Sequence, residues 1–271
     1  MTTITLLKQI TPELSLQQYN EIPVIALQHR VGSALIALQG AHLFSWKPQG
    51  AAQDVFWLSE VEPFSAGNAI RGGVPICYPW FGSVQSPPHG YARISLWQLS
   101  DYAIAEDKVR LEFSLFSAEN LIEAKISMQF CDHCELTFTH YGQQPAQAAL
   151  HSYFHIGDIE SVSVAGLPTT CFNSLQQQNE PVPSPRRISA NVDGIYAVAS
   201  PLTTTVHDPV YQRNIVIEHN NATEVVLWNP WHKATSGMSE QGYKTMVCVE
   251  SARINHLLSQ GEQIRTRIKL A

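Results

Sequence analysis

Alternation of apolar and polar residues runs through most of the chain, and a period of two is the signature of strands that bury one face. In KVRLEFSLF, residues 108–116, Val109, Leu111, Phe113 and Leu115 point one way, and Lys108, Arg110, Glu112 and Ser114 the other. HCELTFTHY from 133 and QIRTRIKL from 263 alternate in the same sense. The apolar runs SALIAL at 33, VVLW at 225 and TMVCV at 245 predict strands covered on both faces. Helical periodicity is confined to TPELSLQQYN from 11 and SARINHLLSQ from 251, each two or three turns at most. The most loop-like stretch, 173–194, is polar and proline-rich, and strands resume after it with the same character. The absence of a visible repeat of about 20–50 residues argues against propellers and solenoids. The pattern predicts an all-β chain with few short helices. Residues 1–271 are expected to form one domain, a sandwich of two large antiparallel sheets with loops over one face.

Composition narrows the function classes. The 271 residues are 44% hydrophobic and only 15% charged, which predicts a sizeable core. A net charge of −6 removes the basic field that nucleic-acid binding needs, so any bound anion has to be held locally. MTTITLLKQITPEL at the start has no basic segment leading into a long apolar run, and no stretch approaches 18 apolar residues. No membrane partner is expected, and a cytoplasmic location is. Five scattered cysteines suit reduced thiols better than a disulfide framework.

Several segments carry candidate chemistry. AIRGGVPICYPWFG, residues 69–82, packs one arginine, three glycines, two prolines and the aromatics Tyr78, Trp80 and Phe81 together. Arg71 and Arg93 lie on either side of His89, and two converging guanidinium forks match the oxygens of a phosphate. In ALHSYFHIGD, His151, Tyr153 and His155 share one face of a strand. Its two histidines then stand about 13 Å apart, too far to share one zinc ion. CDHC at 131–134 lacks the second pair of a tetrahedral site, so no metal is expected there. Glu250 follows the apolar VCV; a carboxylate there either loses hydration and becomes a general base, or emerges into solvent at the strand's end. Trp228, in LWNPWHK, belongs either to the core or to a flat wall for a sugar ring.

GAHLFSW, IRGGVPICYPWFG, PPHGYAR, LHSYFHIGD, VDGIY and LWNPWHKATSGMSEQGYKTMVCVES, in this order from about residue 40 to 255, resemble the D-hexose-6-phosphate mutarotases (glucose-6-phosphate 1-epimerases) of the galactose mutarotase-like superfamily. The resemblance implies a β-supersandwich and interconversion of the α and β anomers of a hexose 6-phosphate without a cofactor. It implies catalytic roles for His151, as acid, and Glu250, as base, with substrate-binding positions at Arg71, His89, Arg93 and Asp193. Tyr78 and Trp80 would then shape the wall, and the glycines near Arg71 would allow close backbone approach. One departure stands out: Gly194 follows Asp193 where the family often has a basic residue, with Arg186 and Arg187 as possible substitutes from the preceding loop. A mutarotase for neutral sugars such as galactose and a non-catalytic carbohydrate-binding protein are the alternatives. Oligomeric state is open, and a monomer is compatible with the sequence.

Overall fold

The computed structural model describes residues 2–271 and is built almost wholly from antiparallel strands. A five-stranded meander comprises the successive strands Ile4–Gln9, Leu14–Tyr19, Ile22–His29, Gly32–Ala37 and His42–Pro48. Two larger sheets follow, one of nine strands and one of eight, so the expected pair of large sheets is present with the meander beside it. Helical structure among the described residues is limited to the 3-10 turns Ala92–Ile94 and Gly242–Thr245. None is long and apolar enough to cross a membrane.

Alternation in the sequence becomes burial in the nine-stranded sheet. Val109, Leu111, Phe113 and Leu115 of Lys108–Phe116 are all buried, as are Ala124, Ile126, Met128 and Phe130 of the neighbouring Ile122–Phe130. They meet Val225, Leu227, Val247 and Val249 of the eight-stranded sheet in one continuous apolar cluster, which also takes in Leu14, Ile25, Ile36 and Trp46 of the meander. The sites of VVLW and TMVCV are covered on both faces because the other face of the same strands, carrying Val226, Trp228, Met246 and Cys248, lies under further side chains.

Both segments with helical periodicity are strands. TPELSLQQYN supplies Leu14–Tyr19, paired with Ile4–Gln9 and Ile22–His29. SARINHLLSQ continues the thirteen-residue strand Met246–Leu258, whose Ser251 is paired to Val225 on one side and Leu150 on the other. Two-sided pairing in the middle of a sheet outweighs a local helical preference on the order of a few tenths of a kcal/mol per residue. The loop-like 173–194 stretch also contains the short strands Gln178–Pro181 and Arg186–Arg187.

Candidate active site

The eight-stranded sheet sets out the site by strand alternation. Asp193 and Ile195 of Val192–Ala197, Val226 and Trp228 of Glu224–Asn229, and Glu250 of Met246–Leu258 lie on one face. The register places Asp193 opposite Trp228, Ile195 opposite Val226 and Val226 opposite Glu250. These residues floor a cavity of about 540 Å³, a size suited to a small ligand. Its walls include Arg71, Phe81, His89, His151 and Tyr153, from segments distant in sequence.

His151 sits in the break between the strands Ala146–Leu150 and Tyr153–His155, anchored by its N–H to the carbonyl of Pro75. Its Nε2 is 3.3 Å from Glu250 Oε1. Both groups are shielded, His151 at 8% exposure and Glu250 at 1%. Burial pushes the Glu250 carboxyl well above the usual carboxylate range, and Asp193 adds to the rise. Burial likewise pushes His151 well below an ordinary imidazole, with further lowering from His89, Arg71 and Arg93. Burial alone therefore favours a neutral pair holding one proton, on the carboxyl. Moving that proton to the imidazole gives the ion pair with no change in composition.

His89 is held in one tautomer. The Gly82 N–H points at its Nδ1 at 3.4 Å, and the Cys77 thiol lies 3.3 Å from the same atom. Burial keeps that thiol protonated by raising its pKa. With Nδ1 accepting, the ring proton belongs on Nε2. Burial, Arg93 and Arg71 push the His89 pKa down to about 4, so the ring is neutral near pH 7.

Arg71 is oriented from three sides. Its backbone N–H donates to Glu62 Oε2 at 2.8 Å, Nε to the Ser236 carbonyl at 3.0 Å and Nη1 to the Tyr153 hydroxyl at 2.9 Å. Gly72 and Gly73 next to it have positive φ, but the close approach they permit is to other backbone. A Cβ on Gly73 would stand 2.4 Å from the Leu43 carbonyl oxygen.

The structure brings together His151, Glu250, Arg71, His89, Asp193 and Trp228 and leaves out Tyr78, Arg93 and Trp80. Tyr78 does not form the wall: its ring packs on Phe138 in the core and its hydroxyl meets His140 Nδ1 at 2.9 Å. Arg93 does not line the cavity; its Nη2 donates to the Pro88 carbonyl at 2.6 Å, while its charge is still felt by His89 and His151. Trp80 is turned to the Pro87 carbonyl, and Phe81 takes its place on the wall. Neither Arg186 nor Arg187 lines the cavity. Position 194 faces away from it, where a Cβ would meet Tyr196 and Cys171. His155 lies at a different cavity from His151. Sequence reasoning missed Gln147, Ser174 and Gln177 on the wall. Gln147 ties Phe81 to the sheet, accepting from its N–H at 2.7 Å and donating to the Ile254 carbonyl at 2.9 Å.

His155 and the aromatics Tyr19, Phe44, Trp57 and Phe64 line a larger cavity of about 630 Å³. Its half-buried carboxylate, Asp54, is already held by the N–H groups of Trp46 and Phe56 and by Ser45 Oγ. The smaller cavity is the candidate site because the chemically unspent groups converge there.

The aldose 1-epimerase family model matches residues 23–271. The chain belongs to this family. A Haemophilus influenzae protein named "Putative glucose-6-phosphate 1-epimerase" is 60% identical over 267 residues, covering 98% of each chain. A Salmonella typhimurium protein of the same name is 35% identical, covering 92% of this chain and 89% of its own. Among solved structures, the crystal structure of a "putative mutarotase" from Salmonella typhimurium superposes with a TM-score of 0.93 at 32% identity, over 99% of this chain and 97% of that one. Family membership thus agrees with the gathering of an imidazole and a carboxyl in one pocket.

Proposed function

We propose that the chain interconverts the α and β anomers of a hexose 6-phosphate, with His151 and Glu250 moving the protons. The observation that carries this reading is the 3.3 Å separation of His151 Nε2 and Glu250 Oε1 at the shielded floor of the cavity. In the ionised form of the pair, Glu250 takes the proton of the C1 hydroxyl while His151 gives one to the ring oxygen. The bond between C1 and the ring oxygen breaks, leaving an open-chain aldehyde. Rotation about C1–C2 presents the other carbonyl face, the ring oxygen attacks it, and both protons return. Each positioned acid or base typically contributes ~10²–10⁴-fold. Sugar hydroxyls donating to the carboxylate, and an anion beside Arg71, both stabilise the ionised pair against the neutral one that burial favours.

His89 offers an Nε2–H and Asp193 a carboxylate for the sugar hydroxyls, and the Trp228 ring gives a flat apolar face for the pyranose. Arg71 is assigned to the phosphate as a charge-assisted donor. The free thiols of all five cysteines suit a cytoplasmic enzyme. One observation favours a second reading, a mutarotase for neutral aldoses: Arg93 donates to the Pro88 carbonyl, and among the described residues Arg71 is the one arginine that lines the cavity. Anomer exchange measured by saturation-transfer NMR on glucose 6-phosphate and on galactose separates the two. Faster exchange of the phosphorylated sugar supports the proposal, and equal or faster exchange of galactose replaces it with the second reading.

A further inference from the structure

Cys248 has no part in the proton transfers above, yet its side chain is wholly buried, two residues before Glu250 and on the same face of the strand Met246–Leu258. Its Sγ, an imidazole nitrogen of His151 and a carboxylate oxygen of Glu250 all lie within 4.8 Å of one another. We propose that these three side chains form an inhibitory site for a zinc-class divalent ion, which stops catalysis by occupying the acid–base pair itself.

The geometry is near that of a metal site. Tetrahedral zinc has bonds of about 2.0–2.3 Å to nitrogen, oxygen and sulfur, which fixes the ligand-to-ligand edges at roughly 3.3–3.6 Å. The His151 Nε2 to Glu250 Oε1 separation of 3.3 Å is already one such edge. To complete the other two, the thiol moves by little more than about one ångström. Imidazole, thiolate and carboxylate together suit a borderline-soft ion; magnesium and calcium select all-oxygen shells. Glu250 Oε2 is buried without a hydrogen-bond partner among the described residues, so the carboxylate keeps unused acceptor capacity at this point. Three protein ligands leave a fourth position for water or a sugar oxygen.

The exchange also conserves charge. A divalent cation displaces the thiol proton of Cys248 and the one proton shared by His151 and Glu250, two positive charges for two. The shielded floor is neutral before and after, and no buried charge is left uncompensated. A second grouping, Cys131, Asp132 and His133, is consecutive in a turn, with Asp132 exposed and His133 Nδ1 already in contact with both neighbours. It serves as the control for adventitious binding.

Inhibition rests on the acid–base reading; metal binding does not. The experiment therefore has two arms on the full chain under reducing, anaerobic conditions. In the first, Co²⁺ is titrated and the thiolate-to-cobalt charge-transfer band recorded, followed by displacement with Zn²⁺. In the second, anomer exchange is followed by NMR as Zn²⁺ is added and then chelated. The proposal expects a one-to-one cobalt band and a reversible slowing of exchange. Cys248→Ser and Cys248→Ala should exchange at near the wild-type rate without zinc, yet lose the band and at least about tenfold in zinc sensitivity. Cys131→Ala should keep both. A band that persists in the Cys248 variants and vanishes in Cys131→Ala overturns the proposal, as does undiminished exchange at Zn²⁺ levels that bleach the band. Because the spectral arm needs no turnover, a failed metal site gives no Cys248-dependent band. A failed epimerase assignment gives that band without anomer exchange.

Discussion

The imidazole of His151 lies flat on the phenol of Tyr153, with ring centroids 4.8 Å apart and planes 9° from parallel, while the same phenol accepts a hydrogen bond from Arg71 Nη1 at 2.9 Å. Trp57 stacks on Tyr153 in turn, centroids 6.0 Å apart, and is pinned by its Nε1–H to Thr245 Oγ1. One tyrosine therefore sets the plane of the proposed acid and the position of the proposed anion ligand. Burial raises its own pKa, so the phenol stays neutral beside the guanidinium.

Tyr153→Phe separates those two duties. The stack survives and the anchor of Arg71 is lost, so KM for a hexose 6-phosphate should rise about two- to tenfold, the equivalent of one hydrogen bond, with kcat little changed. Tyr153→Ala removes the stack as well and should lower kcat in addition. Exchange rates measured across substrate concentration distinguish a KM effect from a kcat effect.

Arg71→Ala should weaken the phosphorylated sugar by about tenfold or more and a neutral sugar by much less, since a charge-assisted contact is removed only from the former. Arg93→Ala should show far less contrast, because that side chain is tied to Pro88 and does not line the cavity. Parallel kcat/KM values on glucose 6-phosphate and galactose make the comparison. Equal losses for both sugars in Arg71→Ala would remove the phosphate assignment.

Much of this site was legible in the sequence because strand alternation carries faces as well as elements. Glu250 shares parity with Met246 and Cys248, which the sequence shows; that it is buried rather than at a solvent-exposed strand end came from the strand running on to Leu258 between paired neighbours. Tyr78 was misplaced because a Pro- and Gly-rich turn has no period from which to read a direction, and the ring turned to Phe138 instead. The same gap hid the bond between Arg93 and Pro88. Gln147 and Ser174 gave no signal at all, since their importance lies in contacts with Phe81 and Asp193 that only the fold creates. The false helix at 251 shows the converse, a local pattern overruled by pairing on both sides.

Glycine at 73 is a packing requirement. Its φ is +58°, and an added Cβ would lie 2.4 Å from the Leu43 carbonyl oxygen and 2.5 Å from the Phe44 Cα. Gly73→Ala should cost at least about 2 kcal/mol, strain plus backbone clash. Gly67, at φ +77° with nothing within 4 Å, is the control, and Gly67→Ala should cost only about 1 kcal/mol. Denaturant midpoints for the two variants test the difference.

His219 is buried between Thr204 Oγ1 at 2.9 Å and Ser251 Oγ at 2.7 Å, and burial pushes its pKa down to about 3. An unfolded chain binds this proton near its ordinary pKa of about 6.5, so the folded state binds fewer protons in between. Its contribution to stability is therefore lost as pH falls through that window, by up to about 1.4 kcal/mol per pH unit. The stability advantage of wild type over His219→Gln should shrink between about pH 6.5 and 4. A constant difference over that range would show that the imidazole is not held neutral.

The central claim is that His151 and Glu250 exchange protons with a sugar ring. Saturation transfer between the α and β anomeric protons of glucose 6-phosphate, recorded for wild type, Glu250→Gln and His151→Asn at equal concentrations of folded protein, tests it most directly. Each variant should slow exchange by at least ~10², the low end for general acid–base catalysis. Near-wild-type exchange in either variant, with the fold intact, would contradict the account.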